Sequence, residues 1–151
     1  MMNINDIKNH INNKSRLIGV DMGSKRVGLS ISDENRKIAT PLKTINYENI
    51  QILADELKKI TNENNVHAII FGNPINMDGT EGSSSQSVKD KVKLISKKIK
   101  IPIFLWDERL STVGAFNLSS ELDINVTKRV KNIDKNAAAF ILQGALDFLN
   151  N

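Results

Sequence analysis

The first half of the chain opens with a pattern that is typical of antiparallel strands. Apolar residues run through 17–22 and alternate with small or polar residues through 26–32, so both segments are predicted to be strands joined by a tight turn at Met22-Gly23-Ser24. Residues 37–45 supply a third strand, and because Pro41 interrupts it, that strand is expected at a sheet edge. These three segments predict a small antiparallel unit at the start of the domain.

The next segments alternate between helical and strand patterns. Apolar residues recur at helical spacing from Ile50 to Ile60 and again from Val88 to Ile99, and the second of these helices is rich in lysine. Residues 66–71 and 101–106 are apolar enough to be buried strands. The polar stretch 72–85 between them is predicted to be a long loop.

The last part of the chain is predicted to contain two helices around a basic loop. Ser111 or Thr112 can cap a helix that extends to Leu122, residues 127–135 read as a loop, and a final helix runs from Asn136 to about Leu149. The order of elements predicts an α/β fold, a mixed sheet with helices on both faces. Residues 1–16 are a polar N-terminal extension, either a loose tail or a short helix, and residues 17–151 form a single domain.

Composition narrows the class of protein. The chain has 151 residues, of which 40% are hydrophobic and 25% charged, and it has no cysteine, so disulfides and thiolate metal sites are excluded. No apolar run approaches the ~20 residues that a membrane span needs, and the start lacks a secretory signal. We therefore expect a cytoplasmic protein without a membrane partner. The net charge of +4 is compatible with a polyanionic partner.

Four acidic residues stand where ligands bind in α/β proteins. Asp21 ends the first strand, Asp107 and Glu108 end a later one, and Asp134 precedes the final helix. Each also has a purely structural explanation. Asp21 could accept hydrogen bonds in its turn, Asp107 and Glu108 could pair with Arg109 at the surface, and Asp134 could be an N-cap.

If the two strands are neighbours, these carboxylates converge and need a cation to neutralise them. Hard oxygen ligands without cysteine favour Mg²⁺ or Mn²⁺, and such a site suits metal-assisted hydrolysis of a phosphodiester.

Basic residues lie close to the acids along the sequence. Lys25 and Arg26 follow Asp21, and three more, Lys128, Arg129 and Lys131, precede Asp134. They form either a solvated face or a surface that holds a phosphate backbone. The loop containing Asn76, Asp78, Gly79 and Glu81 is longer than a plain connection needs, and it is either a surface loop or a rim beside the site.

Four motifs, in order and at matching spacing, resemble the YqgF family. They are DMGSKRVGLSISD, GNPINMDGTEG, DERLSTV and IDKNAAAFILQ, and the resemblance extends from Leu17 to the C-terminus. This bacterial family is described as Holliday-junction-resolvase-like and as nucleases that process the 5′ end of pre-16S ribosomal RNA.

The resemblance implies a ribonuclease-H-like fold and an active site made of Asp21, Asp107 or Glu108, and Asp134. It also implies Mg²⁺ or Mn²⁺ as cofactor, phosphate contacts from Arg109 and Lys25, and a cleft bordered by residues 76–81. The sequence departs from the family at Asn73, where an apolar residue is usual. It also has alanines at 137 and 138, where related resolvases often carry an additional acid.

The expected function is a metal-dependent nuclease that cleaves structured RNA during ribosome biogenesis, with pre-rRNA and ribosomal particles as partners and a monomer or homodimer as the assembly. Two alternatives remain open at this point: a resolvase of branched DNA, and a nucleic-acid-binding protein without catalysis. An actin-like ATPase, which the DMGS turn also allows, needs two such domains and a longer chain.

Overall fold

The structure is a computed structural model that describes residues 2–9, 14–76, 78–108 and 126–150; of residues 2–5, 8 and 126–135 it describes the backbone alone. Six strands form one sheet: β1 (Met2–Asn3), β2 (Arg16–Met22), β3 (Arg26–Ser32), β4 (Ala39–Asn46), β5 (Val66–Asn73) and β6 (Ile103–Asp107). Three α-helices cover it: α1 (Ile50–Glu63), α2 (Ser83–Ser96) and α3 (Val126–Asn150).

The strands lie in the order β1-β6-β5-β2-β3-β4. β3 and β4 are antiparallel to their neighbours, whereas β2, β5, β6 and β1 are parallel to one another. The expected mixed sheet is therefore confirmed, and the strands predicted from the apolar pattern are all present.

Helices cover both faces of the sheet, each over its own hydrophobic core. On one face, α1 and α2 pack on alternate strand residues such as Val20, Phe71 and Leu29. On the opposite face, α3 packs on the intervening residues, including Leu17, Ile70 and Phe104. Because successive strand residues point to opposite faces, the core to which a strand residue belongs tells which helix it faces.

The N-terminal segment is more integrated than a loose tail. Met2 and Asn3 pair with Phe104 and Leu105 of β6, and a 3₁₀ helix follows over Ile4–Asn9. Ile7 in this helix is fully buried beneath α3. Of the two alternatives for this segment, the structure therefore agrees with the short helix. The edge strand β1 was not predicted. The division of the chain at residue 16 stays a prediction.

Two segments that were predicted to be loops differ in the structure. β5 continues to Asn73 and α2 already begins at Ser83, so the loop between them spans residues 74–82. The segment 127–135 was predicted to be a basic loop, and that prediction is wrong, since α3 begins at Val126. The segment has neither glycine nor proline and is rich in lysine and arginine, which are good helix formers. The helix predicted over 111–122 lies outside the described residues.

α3 packs closely on the sheet at Gly19 of β2. A Cβ atom on Gly19 would lie 2.5 Å from Ser30 Oγ, 2.7 Å from Leu142 Cβ and 2.9 Å from the carbonyl oxygen of Ala138. The buried Ser30 hydroxyl donates to that same Ala138 oxygen at 2.7 Å. Only glycine at position 19, which has no Cβ atom, lets α3 pack this close to the backbone of β2. The contact fixes the position of α3 over β2.

The other end of α3 is tied to the turn between β3 and β4. Gln143 accepts from the backbone N–H of Ala39 at 2.9 Å and donates to the carbonyl of Lys37 at 3.0 Å, while Asn150 donates to the carbonyl of Arg36 at 2.8 Å. These bonds set the direction of the helix, so its N-terminal half extends towards the carboxyl ends of β2 and β5.

Candidate active site

Asp21 and Glu108 meet at the carboxyl ends of the parallel strands. Val20 pairs with Phe71, and Gly72 pairs with Trp106, so the residues that follow bring Asp21, Gly72 and Glu108 to one edge of the sheet. Glu108 comes directly after β6 and alternates with Phe104 and Trp106, which face α3. Asp21 alternates with Gly19, which also faces α3. Both carboxylates therefore lie on the α3 side.

Gly72 provides the space that the Glu108 side chain occupies. A Cβ atom on Gly72 would lie 2.8 Å from Glu108 Oε1, 2.9 Å from Glu108 Cγ and 2.6 Å from Cδ1 of Ile141 in α3. The glutamate thus crosses the bare backbone of β5 on its way to β2. Sequence reasoning missed Gly72, and its only signal was a glycine at the end of a buried strand, where backbone often approaches another group closely.

Glu108 has an unusually high pKa because of its burial and its contact with Asp21. The pKa of Glu108 is raised from its ordinary value of 4.5 to about 7. The largest cause is burial, followed by the charge of Asp21, a hydrogen bond with Asp21 and the charge of Asp107. Two carboxyl groups that share a hydrogen bond cannot both be ionised cheaply. At neutral pH the pair therefore holds a proton part of the time, unless a cation replaces it.

Asp107 lies on the other face of the sheet. It alternates with Leu105 and Ile103, which pack under α1 and α2, and its partner in register is Asn73. The two acids that were candidates for one role are thus separated by strand alternation. The structure brings Glu108, and not Asp107, to the α3 side where Asp21 lies.

Asn73, which departs from the family pattern, is buried and paired. Its Oδ1 accepts a hydrogen bond of 2.6 Å from Ser85, a fully buried residue in the first turn of α2. A buried amide needs such a partner, since leaving it unsatisfied costs about 1–3 kcal/mol. The pair joins the end of β5 to the start of α2 beneath the loop that connects them.

Asp134 is inside α3, four residues before Ala138. It is therefore not an N-cap, which was its structural alternative, because the helix begins eight residues earlier at Val126. Its side chain lies outside the described atoms. Ala138, one turn later, is fully buried, and its carbonyl oxygen packs on Gly19 and accepts a hydrogen bond from Ser30.

The described side chains contain no group of three or more aspartate, glutamate, histidine or cysteine residues that could hold a metal ion. Two carboxylates, Asp21 and Glu108, are in place. Their oxygen atoms are the ligand type that Mg²⁺ and Mn²⁺ prefer, so the two residues fit such an ion in the type of their ligand atoms.

The loop 74–82 beside this edge is tied by its own hydrogen bonds. The backbone of Asn76 accepts from Gly79 and donates to Thr80, both at 2.9 Å, and Asp78 Oδ1 accepts from the backbone and hydroxyl of Thr80. Glu81 pairs with Lys89 of α2. The predicted rim residues are exposed and follow β5 directly, in a compact loop rather than an extended one.

The predicted basic residues are only partly described. Lys25 and Arg26 are exposed at the turn between β2 and β3, and Tyr47 holds that turn by donating its hydroxyl to Gly23 O at 2.8 Å. Lys25 also lines a cavity of about 690 Å³ together with Tyr47 and Glu48. Arg109 lies outside the described residues. The side chains of Lys128, Arg129 and Lys131, all in the first part of α3, are likewise outside the described atoms.

A family model described as "RuvX: Holliday junction resolvase" matches residues 15–148. The chain belongs to this family. Membership confirms the resemblance found in the sequence, since RuvX and YqgF are names of one family, and it identifies the chain as a hydrolase that acts on phosphodiester bonds.

Curated relatives agree with the family over the whole chain. A protein of Pelagibacter ubique named "Putative pre-16S rRNA nuclease" is 64% identical over 151 residues, which cover 100% of both chains. A protein of the same name from Rhodobacter capsulatus is 43% identical over 133 residues, covering 88% of this chain and 84% of that one.

Solved structures of resolvases share the fold. RuvC of Thermus thermophilus in complex with a Holliday junction substrate has a TM-score of 0.55 at 9% identity and covers 89% of this chain and 96% of its own. The fowlpox virus resolvase in complex with Holliday junction DNA has a TM-score of 0.53 at 11% identity, with 90% and 99% covered. The expected ribonuclease-H-like fold of the RuvX chain is thereby confirmed.

No helix in the described part of the chain is both long and apolar enough to cross a membrane.

Proposed function

We propose that this RuvX-family chain is a metal-dependent nuclease that cleaves structured RNA, and that its substrate is the 5′ end of pre-16S ribosomal RNA. The observation that carries the chemistry is the pair of Asp21 and Glu108, half-buried at the strand ends and joined by a hydrogen bond. The substrate follows from the names of the curated relatives, which match this chain over their whole length or most of it.

Asp21 and Glu108 are the proposed metal ligands on the sheet, and Asp134 is the proposed third. α3 supports this choice because Ala138, one helical turn after Asp134, packs on Gly19 of β2, which is two strand residues before Asp21. These residues would hold Mg²⁺ or Mn²⁺, which would supply Lewis-acid activation of a water and stabilisation of the leaving oxygen. Asp107 influences Glu108 through its charge from the opposite face.

The proposed substrate path runs over the edge where the strands end. Six basic residues are proposed to contact phosphates: Lys25, Arg26, Arg109, Lys128, Arg129 and Lys131. The loop with Asn76, Asp78, Gly79 and Glu81 borders the path, because it begins directly after Asn73 of β5. Ribosomal particles in the cytoplasm are the proposed setting, with the chain acting as a monomer or homodimer.

The test compares cleavage of a labelled pre-16S 5′-leader RNA in Mg²⁺, Mn²⁺ and EDTA. We expect metal-dependent cleavage that Asp21→Asn and Glu108→Gln abolish. Asp107→Asn is the matched control, since it removes the neighbouring charge but leaves the pair on the α3 side intact, and it should keep most of the activity. Full activity in a folded Asp21→Asn variant would remove this residue from the mechanism.

A second candidate is a resolvase of branched DNA, favoured by the description of the matching family model. A four-way DNA junction included in the same assay separates the two functions. Cleavage of the junction without cleavage of the RNA would assign the site to DNA.

A further inference from the structure

The positive charge of this chain is concentrated in one segment. Residues 89–100 contain six lysines and one aspartate, a net charge of +5, whereas the whole chain carries +4. The remaining residues together are therefore close to neutral. The segment comprises the second half of α2 and the four residues that follow it, and it lies on the face of the sheet opposite α3.

The lysines of this segment divide into two flanks on either side of the buried stripe of α2. On the flank towards α1, Lys98 pairs with Asp55 at 3.2 Å and the ammonium of Lys91 lies 5.8 Å from the centre of the Tyr47 ring. These two charges have partners within the protein. They need no further explanation.

The other flank carries Lys89, Lys93 and Lys97 at intervals of four residues, which places them in one row about 6 Å apart. We call these three residues the lysine row. Lys93 and Lys97 are exposed, and none of the ion pairs among the described residues involves them. Asp90, the acid nearest in sequence, instead accepts a hydrogen bond from Gln86 at 2.9 Å.

Like charges four residues apart destabilise a helix by about 0.2–0.5 kcal/mol a pair. Lys89 and Lys93 form one such pair within α2, and Lys97 continues the row directly after the helix. Among the described ion pairs, the one that involves the row joins Lys89 to Glu81. A polyanion would remove this repulsion. The regular spacing fits a chain of repeating phosphates better than it fits a single small anion.

The lysine row also connects with the proposed active site. Lys89 pairs with Glu81 in the loop 74–82, which joins the carboxyl end of β5 to α2. α2 begins at Ser83, beside the strand ends, and runs away from them. A nucleic acid strand that leaves the strand ends over this loop would meet Lys89 first, then Lys93 and Lys97.

We infer that the lysine row, continued by Lys100, binds the phosphate backbone of the RNA segment that flanks the cleaved bond. This inference rests on the proposed function for the identity of the polymer. It adds a contact surface on the face of the sheet opposite α3, and this surface would give affinity without reading sequence. It would also make binding depend steeply on salt.

The test measures binding of the full chain to a labelled pre-16S 5′-leader RNA in EDTA over a range of salt concentrations. The variant is Lys93→Gln/Lys97→Gln/Lys100→Gln. Its matched control, Lys37→Gln/Lys58→Gln/Lys59→Gln, makes the same change of net charge at three exposed lysines of the β3–β4 turn and α1. Because each phosphate contact contributes about 0.7–0.9 to the slope of log K against log salt, we expect the slope of the first variant to fall by about 2.

The control should keep the slope of the unmodified chain. Equal slopes in the two triple variants would overturn the inference, since the effect would then come from net charge alone. No bond is cut in EDTA, so an enzyme that failed the cleavage test would still give a result here.

Discussion

Replacing Glu108 with glutamine should make the metal-free protein more stable above neutral pH. The substitution keeps the size of the side chain and removes the charge that burial and Asp21 oppose. The folded protein holds the Glu108 proton up to a pH of about 7, whereas the unfolded chain releases it near 4.5. Between these values the folded state binds more protons, so its stability falls as pH rises.

The size of the effect follows from the two pKa values. A rise from 4.5 to about 7 corresponds to about 3 kcal/mol at most, and the partial exposure of Glu108 lowers this to about 1–2 kcal/mol. The full penalty applies above pH 7 and vanishes below pH 4.5. Glu108→Gln should therefore gain about 1–2 kcal/mol at pH 8 relative to its effect at pH 4.

Urea unfolding in EDTA across this pH range measures the effect directly. Glu34→Gln, at an exposed glutamate of the β3–β4 turn, is the control and should show no comparable gain. Adding Mg²⁺ at pH 8 should stabilise the unmodified chain but not Glu108→Gln, since ligand binding to the folded state adds stability. If the stability difference between Glu108→Gln and the unmodified chain is independent of pH, the reasoning about this pair is wrong.

Three further substitutions probe the contacts that hold the site. Gly19→Ala should lower the free energy of unfolding by about 2–4 kcal/mol, from overpacking and a lost hydrogen bond, and should raise the metal concentration needed for cleavage by moving α3. Ser85→Ala should lower the free energy of unfolding by about 1–3 kcal/mol, because the buried Asn73 amide loses its hydrogen-bond partner. Gly72→Ala should change stability by about 1 kcal/mol or less, because flexible side-chain ends can move aside, but should reduce activity at least tenfold by displacing Glu108.

Each of these has its own check by urea unfolding and RNA cleavage. For Gly19→Ala the control is Ser32→Ala, which removes a buried hydroxyl that accepts from Leu17 N and donates to the Asp33 carbonyl, neither of which is in α3. Equal metal requirements in both variants would contradict the role of the contact. Ser87→Ala, exposed on α2, is the control for Ser85→Ala, and a loss of stability no larger than the control's would count against the buried pair. Full activity in Gly72→Ala would show that Glu108 does not need this space.

The sequence predicted the sheet well because strand formation here follows a local pattern. Period-two alternation in β3 and continuous apolar runs in β2 and β5 each mark a strand without knowledge of its neighbours. The family motifs added the expectation of a ribonuclease-H-like fold. The same information predicted that Asp21 lies at the edge where Glu108 also lies.

Contacts between distant segments could not be read in this way. The low position of α3 depends on Gly19, Ser30 and Ala138 together, which lie on three elements and are up to 119 positions apart in the printed numbering. The start of α3 is not evident from the sequence, because a run of basic residues is compatible with a solvated loop as well as with a helix, although lysine and arginine favour helices. The pairing of Met2 and Asn3 with β6 has no local pattern at all.

The sequence alone does not decide whether Asp107 or Glu108 lies beside Asp21, because the answer depends on where β6 ends. From the sequence alone the two acids were equivalent, because the prediction ended the strand at Trp106 and left both acids beyond it. In the structure β6 continues through Asp107, so alternation sends the two side chains to opposite faces, and the bare backbone of Gly72 lets only Glu108 reach Asp21. An apolar residue in place of Glu108 would fill the same space without the repulsion that raises its pKa. The proposed role of the pair as metal ligands would account for a carboxylate, rather than an apolar side chain, in this space.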